Sequence, residues 1–324
     1  MRIKGKTRWK TLLWWLLLVG PNGSASAQEL FNLTMPASTI PKNSLVIRGA
    51  GEWYQEAGGS RGMGVLGLSY GITGNWMMRV MVSASNHHDR YLPQNLVQHR
   101  HVGNNTLFYS YNQAQNENYP VLFSGVNIYT QWRFFTRDKY KQHFRLALYG
   151  EYSTAQTAHD EAEADLLDDN AGVGAGLIAT YLKNRVAVSL TSGLIRPFAY
   201  EEVNPDGVHT RLDYKHTYQF NLSFGYLLFP RKYKSYFQSN TNVYLEFIGR
   251  YIGGLESIVQ DGEGIPLENP AHQSSYYVEV HPGIQQVLNS QTRLELSIGL
   301  PLVRKSFDHF TPIIRVGVRH YIFL

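Results

Sequence analysis

The C-terminal end of the chain carries a period-two alternation that runs to the final residue. In Arg293-Leu294-Glu295-Leu296-Ser297-Ile298-Gly299-Leu300 one parity is aliphatic throughout and the other is charged, small or polar. Ile314, Val316, Val318, Ile322 and Leu324 repeat the apolar parity, with Arg315, Gly317 and Arg319 between them. Successive strand residues face opposite sides, so each segment is a ribbon with one apolar and one wet face. A soluble sheet buries its apolar face under a second layer and does not back it so regularly with arginine. A membrane barrel turns that face to lipid and the polar face to its lumen. The expected fold class is therefore all-β, a transmembrane antiparallel up-and-down β-barrel.

The N-terminus fits an exported protein. Arg2, Lys4, Lys6, Arg8 and Lys10 precede an apolar run from Leu12 to Val19, and Ala25-Ser26-Ala27 gives an A-x-A cleavage site. This reads as a signal peptide over 1–27, too short in its apolar run to span a bilayer. Removing it changes the charge balance. Of the 30 Lys and Arg, five lie in this segment, which leaves 25 against 25 Asp and Glu. The basic character of the whole chain is thus no evidence for nucleic-acid binding. With no cysteine, disulfides and thiolate zinc sites are excluded, and no cofactor or metal is expected.

Residues 28–44, with Pro36 and Pro41, read as an irregular periplasmic leader, and the barrel is expected over 45–324. Twelve strands are predicted near 45–54, 61–72, 75–86, 121–136, 141–155, 172–182, 185–196, 214–229, 238–251, 274–287, 291–301 and 311–324. Thr73-Gly74-Asn75, Lys183-Asn184 and Asn289-Ser290 are tight-turn sequences rich in residues that tolerate positive φ. Long polar links at 87–120, 156–171, 197–213, 252–273 and 302–310 alternate with such short ones, the asymmetry of outer-membrane barrels. A fourteen-stranded alternative would place strands inside 87–120, for example at Thr106-Leu107-Phe108-Tyr109-Ser110-Tyr111. Aromatic residues near strand ends, among them Trp53, Trp76, Trp132, Tyr152, Tyr181, Tyr218, Tyr226 and Tyr251, match interfacial belts.

The polar parity predicts a charged lumen of Arg48, Arg79, Arg133, Arg145, Arg185, Arg250, Arg293, Arg315 and Arg319 against Glu52, Glu151, Glu246, Glu279 and Glu295. Buried arginines need carboxylate partners or water. These side chains either form ion pairs that stiffen the wall and narrow the pore, or set solute selectivity, or both. Three further features are weighed as chemistry. The acidic run Asp160-Glu161-Ala162-Glu163-Ala164-Asp165-Leu166-Leu167-Asp168-Asp169 has the carboxylate density of a calcium site without its glycine or spacing, so a solvated loop is expected. His87, His88, His99 and His101 share one outer loop without the spacing of a metal site. His272 and Ser274, two apart on a strand, resemble the His-x-Ser of outer-membrane phospholipases, but Ser275 and Tyr276 stand where Asn-Gly is expected.

Taken whole, the mature chain resembles the bacterial outer-membrane barrels of the phenol-degradation (meta-pathway) family. The resemblance rests on Met35-Pro36-Ala37 through Pro41-Lys42-Asn43-Ser44-Leu45, on Tyr70-Gly71-Ile72-Thr73-Gly74-Asn75-Trp76, and on Trp132-Arg133-Phe134-Phe135 followed by Leu146-Ala147-Leu148-Tyr149-Gly150-Glu151. It implies an outer-membrane barrel taking up small, in particular aromatic, compounds, and it carries over no catalytic or ligand residue. The final strand also resembles the C-terminal insertion signal read by the barrel-assembly machinery, with His320 and the terminal Leu324 as departures. The expected function is a monomeric channel for passive passage of small solutes. The alternatives are a closed recognition barrel with partner-binding loops and, third, an acyl hydrolase.

Overall fold

The computed structural model describes residues 31–56, 59–87, 120–156, 166–232, 235, 238–266, 274–305 and 312–324. Twelve antiparallel strands close into a barrel. They are β1 (Ser44–Glu56), β2 (Gly59–Gly71), β3 (Trp76–Ser85), β4 (Leu122–Lys139), β5 (Gln142–Thr154), β6 (Ala171–Lys183), β7 (Val186–Pro197), β10 (Thr217–Phe229), β11 (Asn240–Ile252), β13 (Ser275–Leu288), β14 (Thr292–Lys305) and β15 (Ile313–Phe323). Each strand pairs with its barrel neighbours in sequence, and β1 pairs with β15 from Ser44↔Phe323 to Trp53↔Ile314 to complete the ring. Closure leaves no edge strand and satisfies the ladder hydrogen bonds internally, as a bilayer requires.

The three remaining strands, β8 (Tyr200–Val203), β9 (His209–Tyr214) and β12 (Leu255–Gln260), form a separate sheet in the order β12-β9-β8. It is built from the two regions read from sequence as long polar links, 197–213 and 252–273. Tyr200, Leu212, Leu255 and Val259 form its small apolar core. The β8–β9 hairpin turns at Asn204-Pro205-Asp206-Gly207, where the Asn204 Oδ1 accepts from the backbone N–H of Asp206 and Val208 and Gly207 takes φ +80°.

Turns follow their local chemistry. Asn184, Asn289 and Ser290 adopt positive φ (56°, 51° and 58°) at the predicted short turns. Outward parity is apolar and exposed: Trp76, Met78, Val80 and Val82 on β3, and Ile314, Val316 and Val318 on β15. Trp76 pairs across strands with Trp132, whose ring lies 6.0 Å from Phe134, while Phe135 meets Phe144 at 5.9 Å. These rings form a belt at the short-turn end, and Tyr218 and Tyr251, 6.3 Å apart, contribute to one at the long-loop end. His320 stands in the apolar parity with its Nδ1 2.9 Å from the Thr292 hydroxyl on the paired strand.

The inward parity is not uniformly polar. Val46, Met77, Tyr129, Ala147, Tyr149, Ile178 and Tyr321 are buried in one apolar cluster with Ala37 and Ile40, and Phe323 packs against it. Ala37 and Ile40 belong to the leader. Residues 31–41 are irregular and run inside the barrel wall before joining β1, so this segment partly fills the lumen. Gly71 lies against the Pro41 carbonyl, so close that a Cβ would collide with it. Gly283, opposite Tyr244 on the neighbouring strand, lets that ring lie flat on the wall. We expect Gly283→Val to displace Tyr244 and destabilise the barrel by about 1–3 kcal/mol. The check is urea unfolding in detergent followed by heat-modifiable gel mobility.

Candidate functional site: the lumen

The lumen has two regions, built from the same inward parity but closed by different partners. In the short-turn half the leader supplies the partners. Its backbone N–H groups at Asn32, Leu33 and Thr34 donate to the Glu246 carboxylate at 3.0, 3.0 and 2.9 Å, and the Thr34 hydroxyl adds a fourth bond at 2.8 Å. Glu246 is fully buried, so this nest replaces water around its charge. Leader carbonyls face the opposite sign. Arg319 Nη2 donates to the Asn32 carbonyl at 2.8 Å and the Phe31 carbonyl at 3.4 Å, while Arg48 Nη2 reaches Asn32 at 3.4 Å. Further along, Gln131 Nε2 donates to the Pro36 carbonyl at 2.9 Å, Arg145 Nη1 to the Ser38 hydroxyl at 2.8 Å, and the Ala37 N–H to Thr180 Oγ1 at 2.8 Å.

The arginine rows explain why such partners are needed. Arg48, Arg319 and Arg293 are direct cross-strand neighbours on β1, β15 and β14, all pointing inward. Like charges in that register repel. Arg319 Nε lies 3.2 Å from Glu295 Oε1, which also accepts from Gln285 Nε2 at 3.0 Å, and Arg293 stacks over the Tyr321 ring at 4.4 Å. Arg145 pairs with Asp138 at 2.9 Å and Arg133 Nη2 caps the Gly74 carbonyl at 2.6 Å, near the rim. Arg185, also predicted to face the lumen, instead binds the carbonyls of Leu227 and Leu228 at the short-turn rim.

Arg48 and the six remaining predicted residues, Glu52, Arg79, Glu151, Arg250, Glu279 and Arg315, line a cavity of about 270 Å³ toward the long-loop end. Asn32 and Leu33 of the leader bound it on one side; His87, Leu167, Asp168 and Asp169 bound it on the loop side. Inside, Arg315 Nε donates to Glu52 Oε2 at 2.6 Å, Arg315 Nη1 contacts His281 Nδ1 at 3.0 Å, and His281 Nε2 meets Glu279 Oε2 at 3.0 Å. Arg250 Nη1 donates to Asn221 Oδ1 at 2.8 Å, and Arg79 lies 4.6 Å over the Tyr129 ring. An apolar strip of Met63, Val65 and Met81, with Tyr54 and Tyr277, completes the wall. Sequence reading did not single out His281, although it shares the inward parity of Glu279.

Loop residues 166–170 turn inward. The Ser83 hydroxyl donates to the Leu167 carbonyl, Ser124 to Asp168, and Asn127 Nδ2 to the Leu166 carbonyl at 3.2 Å. Burial works to raise the Asp168 pKa, but the bond to His87 at 3.0 Å and those from Ser124 and Ser85 outweigh it and hold the carboxyl below its usual value. A depressed carboxyl contributes stability at pH values above its unfolded pKa and loses it as pH falls through the folded one. Loop docking should therefore hold at neutral pH and weaken only below the ordinary carboxylate range, an effect readable from protease cleavage near residue 165 as pH is lowered. Of the other weighed features, His88, His99, His101, His272 and 160–165 lie outside the described residues, as does 1–30. Ser274 is exposed just before β13.

No family model matches the chain, and no curated protein matches it in sequence. Its fold is similar to that of an outer-membrane channel from Pseudomonas putida F1, with a TM-score of 0.53 and 11% identity over 88% of this chain and 97% of that one. The TodX ΔS2S3 mutant monoaromatic hydrocarbon channel superposes with a TM-score of 0.41 and 10% identity, over 89% of this chain and 93% of that one. The KdgM porin in complex with disordered oligogalacturonate gives 0.38 and 7%, over 86% and 98%. A closed ring of twelve antiparallel strands, apolar outside and with its charged residues turned inward, makes this chain a β-barrel of the outer membrane.

Proposed function

We propose that the chain is a passive channel for small solutes, in which the long-loop cavity receives the solute and the docked leader forms the constriction. The observation that carries this reading is the cavity itself: a solute-sized space of about 270 Å³ inside a closed barrel, lined by paired charges and one apolar strip. A cavity of roughly 150 Å³ accepts benzene, so this one suits a single substituted ring. Methionines and tyrosines would hold the ring, and Arg48, Arg79, Arg250 and Arg315 a polar or anionic substituent. The fold shared with the Pseudomonas putida channel supports a channel role. The resemblance to phenol-degradation barrels supports an aromatic solute.

Liposome swelling with a size series tests the reading. Benzoate and phenol should enter, while oligosaccharides larger than the cavity should not; entry of neither class would defeat it. A second reading, a recognition barrel, is favoured by the separate β8–β9–β12 sheet on the loop side. Deleting residues 200–214 would then abolish partner binding without changing permeability.

A further inference from the structure

Two outer-loop features that look unrelated along the chain meet in the folded barrel. His87 follows β3, and Asp168 and Asp169 precede β6, yet all three are buried and offer ligand atoms within 4.8 Å of one another. The His87 Nδ1 to Asp168 Oδ2 separation is 3.0 Å. Two ligands on a tetrahedral ion with bonds near 2.0–2.1 Å stand about 3.3 Å apart, so little movement would admit one.

A second observation, independent of the acidic pair, points to a ligand. Asn127 on β4 is 2% exposed and opens onto the same cavity as His87, Asp168 and Asp169. Its Nδ2 is held by the Leu166 carbonyl, but its Oδ1 accepts no hydrogen bond from any described residue. Asn170, 3% exposed and next in sequence to Asp169, has an Oδ1 in the same condition. Buried amide oxygens are ordinarily satisfied. Asn127 shares the cavity lining with two buried carboxylates and an imidazole, which are the donor types of a metal site.

We propose that His87, Asp168 and Asp169, with the Asn127 amide oxygen as fourth donor, bind a divalent transition-metal ion that latches the segment after β3 to the loop before β6 over the mouth of the cavity. The imidazole decides the class of ion. Calcium and magnesium take oxygen ligands, whereas a mixed nitrogen and oxygen set suits zinc and its neighbours. Binding would fix the two segments to each other, whatever solute the cavity receives.

The test is calorimetric titration of Zn²⁺, and separately Ca²⁺, into tag-free, chelator-stripped full-length protein in detergent. One equivalent of Zn²⁺ should bind with micromolar or tighter affinity, and Ca²⁺ should not compete. His87→Gln and Asp169→Asn should each weaken Zn²⁺ binding at least tenfold while keeping the heat-modifiable mobility of a folded barrel. Should either variant misfold, Asn127→Ala on the barrel wall carries the test and should weaken binding as well. Absence of Zn²⁺ uptake by the folded wild type would overturn the proposal and leave an internal His–Asp pair. Full retention of binding in the folded variants would overturn it equally, by placing the ion elsewhere.

Discussion

Replacing Glu246 with alanine is expected to release the leader from the lumen and to raise single-channel conductance several-fold. Three backbone N–H groups and one hydroxyl converge on this carboxylate. Without it the three amides are stranded in a buried site, where each unmet donor costs about 1–3 kcal/mol, while the Thr34 hydroxyl keeps the Ser223 hydroxyl at 2.7 Å. Even at the lower bound, roughly 3 kcal/mol shifts the docking equilibrium more than a hundredfold. The barrel itself should survive, because its twelve strand pairings do not pass through the leader. The chain has no cysteine, so a single Ser38→Cys substitution reports directly on docking. Its thiol should be protected in the parent and labelled rapidly when combined with Glu246→Ala. Equal labelling in both would mean that Glu246 does not hold the leader.

The second large effect is expected at Arg319. Its guanidinium is buried, lies 3.2 Å from Glu295 and donates to the leader carbonyls of Phe31 and Asn32. Arg319→Ala leaves Glu295 charged and buried without its partner, and breaking a buried pair from one side costs about 3–5 kcal/mol. Arg319→Met combined with Glu295→Gln removes both charges at similar volume and should recover most of that loss. Urea unfolding in detergent of the two single variants and the double variant forms the cycle. Additive losses would show that the two residues are not coupled across β14 and β15.

The barrel is legible in the sequence because its rule is local. Parity on β15 separates Ile314, Val316 and Val318 from Arg315 and Arg319 without reference to any distant residue, and Asn184 or Asn289 announces a turn by itself. The short-turn half of the lumen is not legible in this way. Inward-facing Val46, Met77, Ala147 and Ile178 look like lapses in a polar face until Ala37 and Ile40 are seen packed against them. Nothing in Phe31 to Pro41, an irregular stretch without periodicity, says that its amides will meet a glutamate more than two hundred positions away. The β8–β9–β12 sheet was hidden for a different reason. Its strands are four to six residues long, shorter than the window over which alternation stands out from a polar loop. His87 and Asp168 each stand out in the sequence, and only the closure of the barrel shows that they are neighbours.

The proposed channel needs a lumen that conducts and a leader that narrows it. Single-channel recording in planar bilayers, comparing the wild type with a variant lacking residues 28–40 and keeping residues 1–27, tests both at once. A small, steady conductance in the wild type and a several-fold larger one in the deletion is the predicted result. Equal conductances would show that the leader does not narrow the lumen, and the absence of current from both folded proteins would contradict the channel itself.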